Sequence, residues 1–324
     1  MFRILKAATA VGLAFSVITF AEEAPKPKVM GWSKNANLGA NLSFSSSQDV
    51  VGQTDGSSQT YGLNLKGGLD RNSTRDEWRN TLSVLENTSK TPSVPRFIKS
   101  GDELKTKTIY LYSLENYPTV GPYVSGELST PMFNGDDVRN TTTTYQVVRK
   151  DKTNGNTFQG TSAHLTDGFK PLTTKESIGA FWKPVQEENL KVEGRLGLGA
   201  LQISADGQYA LGGANAAGNV VLNELSSVSQ AGLEAAIAVK GKIDEKSTYE
   251  GGLETLTPFI NNKDDGDNRD SFRLTNIEGF LKYNSQITSW ASLTYDYKLK
   301  IQPQLVDRAQ QIHMIVLNFN YNLF

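Results

Sequence analysis

The stretch Gln286-Ile-Thr-Ser-Trp-Ala-Ser-Leu-Thr-Tyr-Asp-Tyr-Lys-Leu-Lys-Ile301 decides the fold class. Ile287, Ala291, Leu293, Tyr295, Tyr297, Leu299 and Ile301 share one face of an extended chain. Thr288, Ser292, Thr294, Asp296, Lys298 and Lys300 share the other, with Trp290 among them. Successive side chains of a strand point to opposite faces, so this period of two makes one apolar and one polar surface. The run is long enough for a tilted strand to cross a bilayer. The pattern recurs about a dozen times along the chain. It predicts an all-β protein, a transmembrane antiparallel up-and-down β-barrel of about twelve strands.

The strands are expected at roughly 34–46, 58–70, 76–88, 104–114, 119–130, 174–184, 189–203, 227–243, 247–260, 271–284, 286–302 and 308–323. The connections are expected to alternate in length. Short ones fall at Arg71–Arg75, Asn116–Pro118, Gln186–Asn189, Asp244–Lys246 and Asn284-Ser285; most of the others are longer, the largest an extracellular loop at about 130–173. Short turns on one rim and long loops on the other are the outer-membrane arrangement. Within the large loop, Thr141–Lys150 and Asn156–His164 read as a hairpin. Their outward faces would be mostly Thr, Ser and Gly, which places the hairpin above the membrane; crossing it would make a fourteen-strand barrel. The strand at 104–114 is ambiguous, because Ile109 and Leu111 oppose Tyr110 and Tyr112.

Residues 1–21 have a basic start at Arg3 and Lys6, an apolar core from Ala7 to Phe20 and small residues before a cleavage point after Ala21, a signal peptide. Residues 22–33 then form a periplasmic lead-in and residues 34–324 the barrel. The mean hydropathy of −0.40 agrees with strands that show lipid only at every second residue. Zero cysteines exclude a disulfide scaffold and a lipidated cysteine. A net charge of −1 gives no nucleic-acid footprint. The expected partners are outer-membrane lipids, lipopolysaccharide and the barrel assembly machinery, for a monomer in the outer membrane of a Gram-negative bacterium. No cofactor is expected.

Trp32, Glu77-Trp-Arg-Asn80, Lys99-Ser-Gly-Asp-Glu103, Gly179-Ala-Phe-Trp-Lys-Pro184 and Arg195-Leu-Gly-Leu-Gly199 together resemble bacterial outer-membrane barrels. They loosely resemble the salt-induced outer-membrane proteins and a related domain-of-unknown-function barrel family. The likeness is diffuse and spans most of the chain after residue 21. It implies fold and location and carries over no catalytic residue. It also implies that the assembly machinery reads the last strand through Phe319, Tyr321 and Phe324.

Two histidines, His164 and His313, leave little material for catalysis. His164 stands near Ser162 without a third group in sequence, and no Gly-x-Ser-x-Gly run exists. Asn261–Asp270 has the look of a calcium loop, but Lys263 and Phe272 would occupy ligand positions, so it reads as a solvated turn. The glycines of 194–213 precede no strand-to-helix step and form no phosphate cradle.

The informative surface is the lumen. Parity sends Lys66, Arg79, Glu127, Lys183, Glu193, Arg195, Glu234, Lys240, Glu250, Glu254, Glu278, Lys282, Asp296, Lys298 and Lys300 inward, with Lys240 roughly opposite Glu250. Tyr123, Phe181, Phe280 and Trp290 break the polar pattern near the short turns. They are read as an aromatic constriction, with Phe280 facing Trp290, or as packing. Twelve strands lie between filled barrels of eight and open ones of sixteen. The leading function is a narrow channel for small polar solutes; the competing one is a barrel with a blocked lumen that acts through its loops. An enzyme is not expected. Deleting Phe324 is expected to lower the heat-modifiable folded form in outer membranes; unchanged levels of the truncated protein would contradict the assembly reading.

Overall fold

The computed structural model describes residues 30–47, 56–91, 94–263 and 267–322. The strands are β1 (Gly31–Ser47), β2 (Gly56–Asn72), β3 (Asp76–Thr91), β4 (Val94–Tyr112), β5 (Val120–Thr130), β6 (Gly135–Val148), β7 (Asn154–Thr166) and β8 (Leu172–Gln186). They continue as β9 (Leu190–Ser204), β10 (Tyr209–Ala214), β11 (Val220–Glu224), β12 (Val228–Lys242), β13 (Ser247–Asn261), β14 (Asn276–Gln286), β15 (Ala291–Gln302) and β16 (Val306–Asn322). Twelve of these form a closed barrel in the order β1-β16-β15-β14-β13-β12-β9-β8-β5-β4-β3-β2, and every pairing within it is antiparallel. The first and last strands close it through Asn37↔Asn322 to Ala40↔Phe319. A closed ladder is what hydrocarbon demands, since no water is present to satisfy an open edge.

Parity sorts the side chains as the alternation predicts. Leu63, Ile178, Leu196, Leu198, Leu233, Ile237 and Leu253 lie outside and are exposed. So much exposed aliphatic surface on a sheet has lipid as its natural partner. On β15, Ser292 and Thr294 are buried inside whereas Leu293 is exposed. The structure also settles β4: Ile109 and Leu111 point into the lumen, and Tyr110 and Tyr112 point out. Near the short turns, Trp78, Tyr112, Trp182 and Tyr283 are exposed on the outer face. Trp32 and Trp78 touch there, with ring centroids 5.7 Å apart. These are positions for an interfacial girdle.

The remaining four strands form a separate sheet in the order β10-β11-β6-β7. β6 and β7 are the hairpin expected above the membrane, so the fourteen-strand alternative fails. β11 joins β6 in parallel, Val220↔Tyr145 to Asn223↔Val148. Tyr145, Ala163 and Leu222 are buried between these strands, with Val147, Leu165, Tyr209 and Leu211 around them. β10 and β11 went unread in the sequence, where their residues belong to the loop after the seventh expected strand.

This cap sheet rises from the β5–β8 and β9–β12 connections and is tied down on several sides. Arg96 of β4 donates to Thr161. Lys99 donates to the Phe133 carbonyl at 2.8 Å, and Asp102 accepts from the Met132 and Phe133 amides. Arg308 of β16 donates to the Leu211 carbonyl. Because β16 lies across the barrel from the base of the sheet, the cap spans part of the long-loop mouth. Below it Leu305 and Val306 pack against an apolar cluster of Leu201, Ile203, Ala205, Leu225, Val228 and Leu256.

One turn departs from the sequence reading. The connection expected at Asn284-Ser285 lies instead at 287–290, and β14 runs through Gln286. Thr288 Oγ1 accepts from the Ala291 amide at 3.0 Å, and Ile287 N–H donates to the Ala291 carbonyl. A Thr hydroxyl thus makes the turn that Asn-Ser was expected to make. Residues 31–33, expected in the lead-in, belong to β1, whereas the signal peptide lies outside the described residues.

Ile237→Arg, six residues from the 243–246 turn, is expected to cost about 2–4 kcal/mol of stability, whereas Ala238→Arg, one residue on and facing the lumen, is tolerated. Leu293→Arg should cost less than Ile237→Arg, since Leu293 stands nearer the short-turn rim. Urea titration of the heat-modifiable form measures all three; a reversed order of Ile237 and Ala238 would overturn the β12 register.

Candidate functional site: the lumen

Inward charges on these strands meet across the bore, and they form a chain of shared ion pairs. Lys183 pairs with Glu77 at 2.7 Å, Glu77 with Arg79 at 3.0 Å and Arg79 with Glu193 at 2.5 Å. Glu193 contacts Arg195 at 3.8 Å, and Arg195 contacts Glu254 at 3.6 Å. Glu254 also holds Lys107 at 3.3 Å and Lys175 at 3.1 Å. Lys107 and Lys105 share Glu127, and Lys175 and Lys300 share Glu278. Lys298 of β15 reaches Glu103 of β4 at 2.6 Å. These carboxylates are well shielded, so each would be costly to strand without a cation.

The sequence reading named Arg79, Glu127, Lys183, Glu193, Arg195, Glu254, Glu278, Lys298 and Lys300 for the lumen, and these belong to the pairs above. It missed Glu77, Lys105, Lys107, Glu103 and Lys175 as site residues. Their inward parity was readable, but the strand from which Lys105 and Lys107 come was the ambiguous one. Glu234 is buried and accepts from the Tyr123 hydroxyl at 3.1 Å. Lys240 and Glu250 are direct cross-strand partners. Asp296 stands opposite Lys282.

The four aromatics do not form a ring. Tyr123 and Phe181 are buried together with Ile109 and Leu111 against the β4–β5–β8 wall. The Arg195 guanidinium lies 5.5 Å from the Tyr123 ring centre, and the Lys183 ammonium lies 5.2 Å from that of Phe181. Phe280 lines the bore on β14, and its ring covers the place where a Gly252 side chain would stand. Its partner on β15 is Lys298 rather than Trp290. Trp290 sits exposed in the 287–290 turn. The shift of that turn moved Trp290 off the wall, so the expected Phe280–Trp290 contact is absent. Of the terminal aromatics, Phe319 and Tyr321 lie in β16, whereas Phe324 falls outside the described residues.

The interior is therefore asymmetric. Tyr123, Phe181, Ile109 and Leu111 fill one wall. Alongside them runs a polar cavity of about 820 Å³. It starts at Thr288 and Ser289 on the short-turn rim, passes Asn37, Asn64 and Lys66, and reaches Asn87, Glu103 and Thr173 high in the barrel. A second hollow of about 370 Å³ at the short-turn rim is lined by Lys191, Lys240, Glu250 and Lys282 among others.

In the cap, His164 contacts Asp136 and Asp167, each at 3.0 Å. The hydrogen bonds to Asp167 and then Asp136 raise the His164 pKa above its ordinary value. Gln208, buried, and then His164 hold Asp167 below the usual carboxylate range. A histidine raised by folding stabilises the cap below its unfolded pKa, and that contribution is lost as pH rises through the folded one. Both groups are half-exposed, so screening keeps it small.

No protein-family model and no curated protein sequence matches the chain. Among solved structures, the translocator domain of the autotransporter NalP from Neisseria meningitidis is similar at 12% identity. That alignment covers 91% of this chain and 90% of that one, with a TM-score of 0.36. An outer-membrane channel from Pseudomonas putida F1 is similar at 12% identity over 93% of this chain and 99% of that one, with a TM-score of 0.40. The NanC porin aligns at 9% identity over 88% and 98%, with a TM-score of 0.36.

Glu254 is the acceptor that Lys107, Lys175 and Arg195 share. Glu254→Gln is expected to destabilise the barrel by about 3 kcal/mol, because it leaves buried cations short of a counter-charge. Urea midpoints of the purified proteins test this; an unchanged midpoint would mean that water, not Glu254, compensates the three cations.

Proposed function

We propose that the protein is an outer-membrane channel that passes small polar solutes through the cavity beside the filled wall. The observation that carries this is a single cavity that reaches from Thr288 and Ser289 at one rim to Asn87 and Thr173 near the other, with polar and charged groups along its length. A barrel of about eight strands is filled by its own side chains. Here the ion pairs gather the long side chains into shared contacts and leave about 820 Å³ beside them. The exposed aliphatic exterior and the short-turn and long-loop rims support the outer membrane as its location, with the short turns facing the periplasm. The final strand, with Phe319, Tyr321 and Phe324, is the part that the assembly machinery would read.

The second reading is a barrel closed to solutes that acts through its surface. The cap sheet favours it, since Arg308 ties the sheet across the mouth and Leu305 and Val306 close the layer below. The two readings differ in one measurement. Purified, folded full-length protein is expected to give unitary conductance steps in planar bilayers. A heat-modifiable preparation that inserts and gives none would leave the closed barrel.

A further inference from the structure

The cavity is nearly balanced in charge, with eight Lys and Arg against seven Asp and Glu in its lining. Net charge therefore sets no preference, and the arrangement must. Almost every acid high in the barrel is bracketed by cations, as Glu127 is by Lys105 and Lys107. Lower down the balance is different. Lys66 of β2 and Lys282 of β14 come from strands four places apart round the barrel, yet both line this cavity, near enough for each ammonium group to feel the other's charge. Lys298 and Asp296 stand close by, and Lys298 is already committed to Glu103. Among the described residues, neither Lys66 nor Lys282 is in an ion pair within 4.0 Å.

Two ammonium groups are donors only. Face to face they repel, and neither can accept from the other. What fits between them is a negatively charged acceptor with more than one oxygen. The surroundings suit such a group: Asn37, Asn64, Asn284 and Thr294 line the cavity around the pair. The position also suits selection. Both lysines lie between the rim at Thr288 and Ser289 and the acid-rich region above, so a solute entering from the short turns meets them first.

We propose that Lys66 and Lys282 form the selecting point of the conduit and admit small solutes that carry a carboxylate or phosphate group. This rests on the channel reading. Asp296 and Glu250, the cross-strand neighbours of Lys282, limit the preference by offering fixed negative charge, which keeps an anion from being held too firmly to leave.

The test uses purified full-length protein in planar bilayers under a KCl gradient. Wild type is expected to show a several-fold preference for chloride over potassium, and inorganic phosphate is expected to reduce the chloride current. Lys66→Gln with Lys282→Gln should bring the preference towards unity and remove the phosphate effect, and Lys66→Glu with Lys282→Glu should reverse it. Both lysines line the cavity, and heat-modifiability confirms that the variants fold. Channels that conduct with the same reversal potential in all three proteins would overturn the selecting point and leave the channel. An absence of conductance in folded wild type would overturn the channel and the selecting point with it.

Discussion

The backbone ladder must close on itself, and everything inside the barrel follows from the number at which it closes. Hydrocarbon offers no partner for an unpaired N–H or C=O. The β1–β16 pairing at residues 37–40 and 319–322 removes the edge that would otherwise face lipid. Twelve strands make a bore wider than the eight-stranded barrels that side chains fill and narrower than the sixteen-stranded ones that stay open. The polar face of each strand has to bridge that width. Long side chains of opposite sign do so, because a cation from one wall and a carboxylate from another span more distance than two aliphatic groups.

The bridging is uneven, and the unevenness makes the cavity. On the β4–β5–β8 wall, Ile109, Leu111, Tyr123 and Phe181 pack in contact, and Arg195 and Lys183 lie over the aromatic rings. This apolar wedge lets the ion chain from Lys183 to Glu278 lean to one side. The opposite wall carries small polar groups such as Asn37, Asn64, Ser292 and Thr294, which cannot reach across. Phe280 lies flat there over Gly252, where any larger residue would meet its ring. Replacing a buried ion pair by apolar residues is often stabilising, so these charges are poorly explained by stability alone.

The barrel was legible because lipid and lumen impose a period of two on every strand. Fold class, strand number and the parity of strands such as β12 and β15 came from that constraint. The 287–290 turn was missed because Ile287 and Thr288 keep the alternation going into it, and only the Thr288 hydroxyl marks the reversal. That error moved Trp290 to the wall and created a false aromatic pair with Phe280. β4 was ambiguous because apolar residues point both ways, outward to lipid and inward to the wedge. β10 and β11 were hidden by their shortness: five or six residues carry too little periodicity, and their pairing with β6 is long-range and parallel. Individual inward charges were readable from parity. Who pairs with whom was not, since partners such as Lys298 and Glu103 lie 195 residues apart.

The cap repeats the asymmetry of the barrel beneath it. Its base grows from β5, β8, β9 and β12, the walls that carry or adjoin the apolar wedge. On that side it is held by its own covalent connections, by Asp102 and by the buried Gln208 that links Asp167 to the β9–β12 insertion. Over the emptier side it is held by Arg308 donating to the Leu211 carbonyl. A hydrogen bond to a charged group contributes about 1.5–3 kcal/mol, a few times the thermal energy. The dense wall therefore holds the sheet by covalent connections and several hydrogen bonds, and the wall beside the cavity holds it through Arg308. Filling one side of a twelve-stranded bore thus fixes two things at once, where the cavity lies and the side from which its outer mouth is covered.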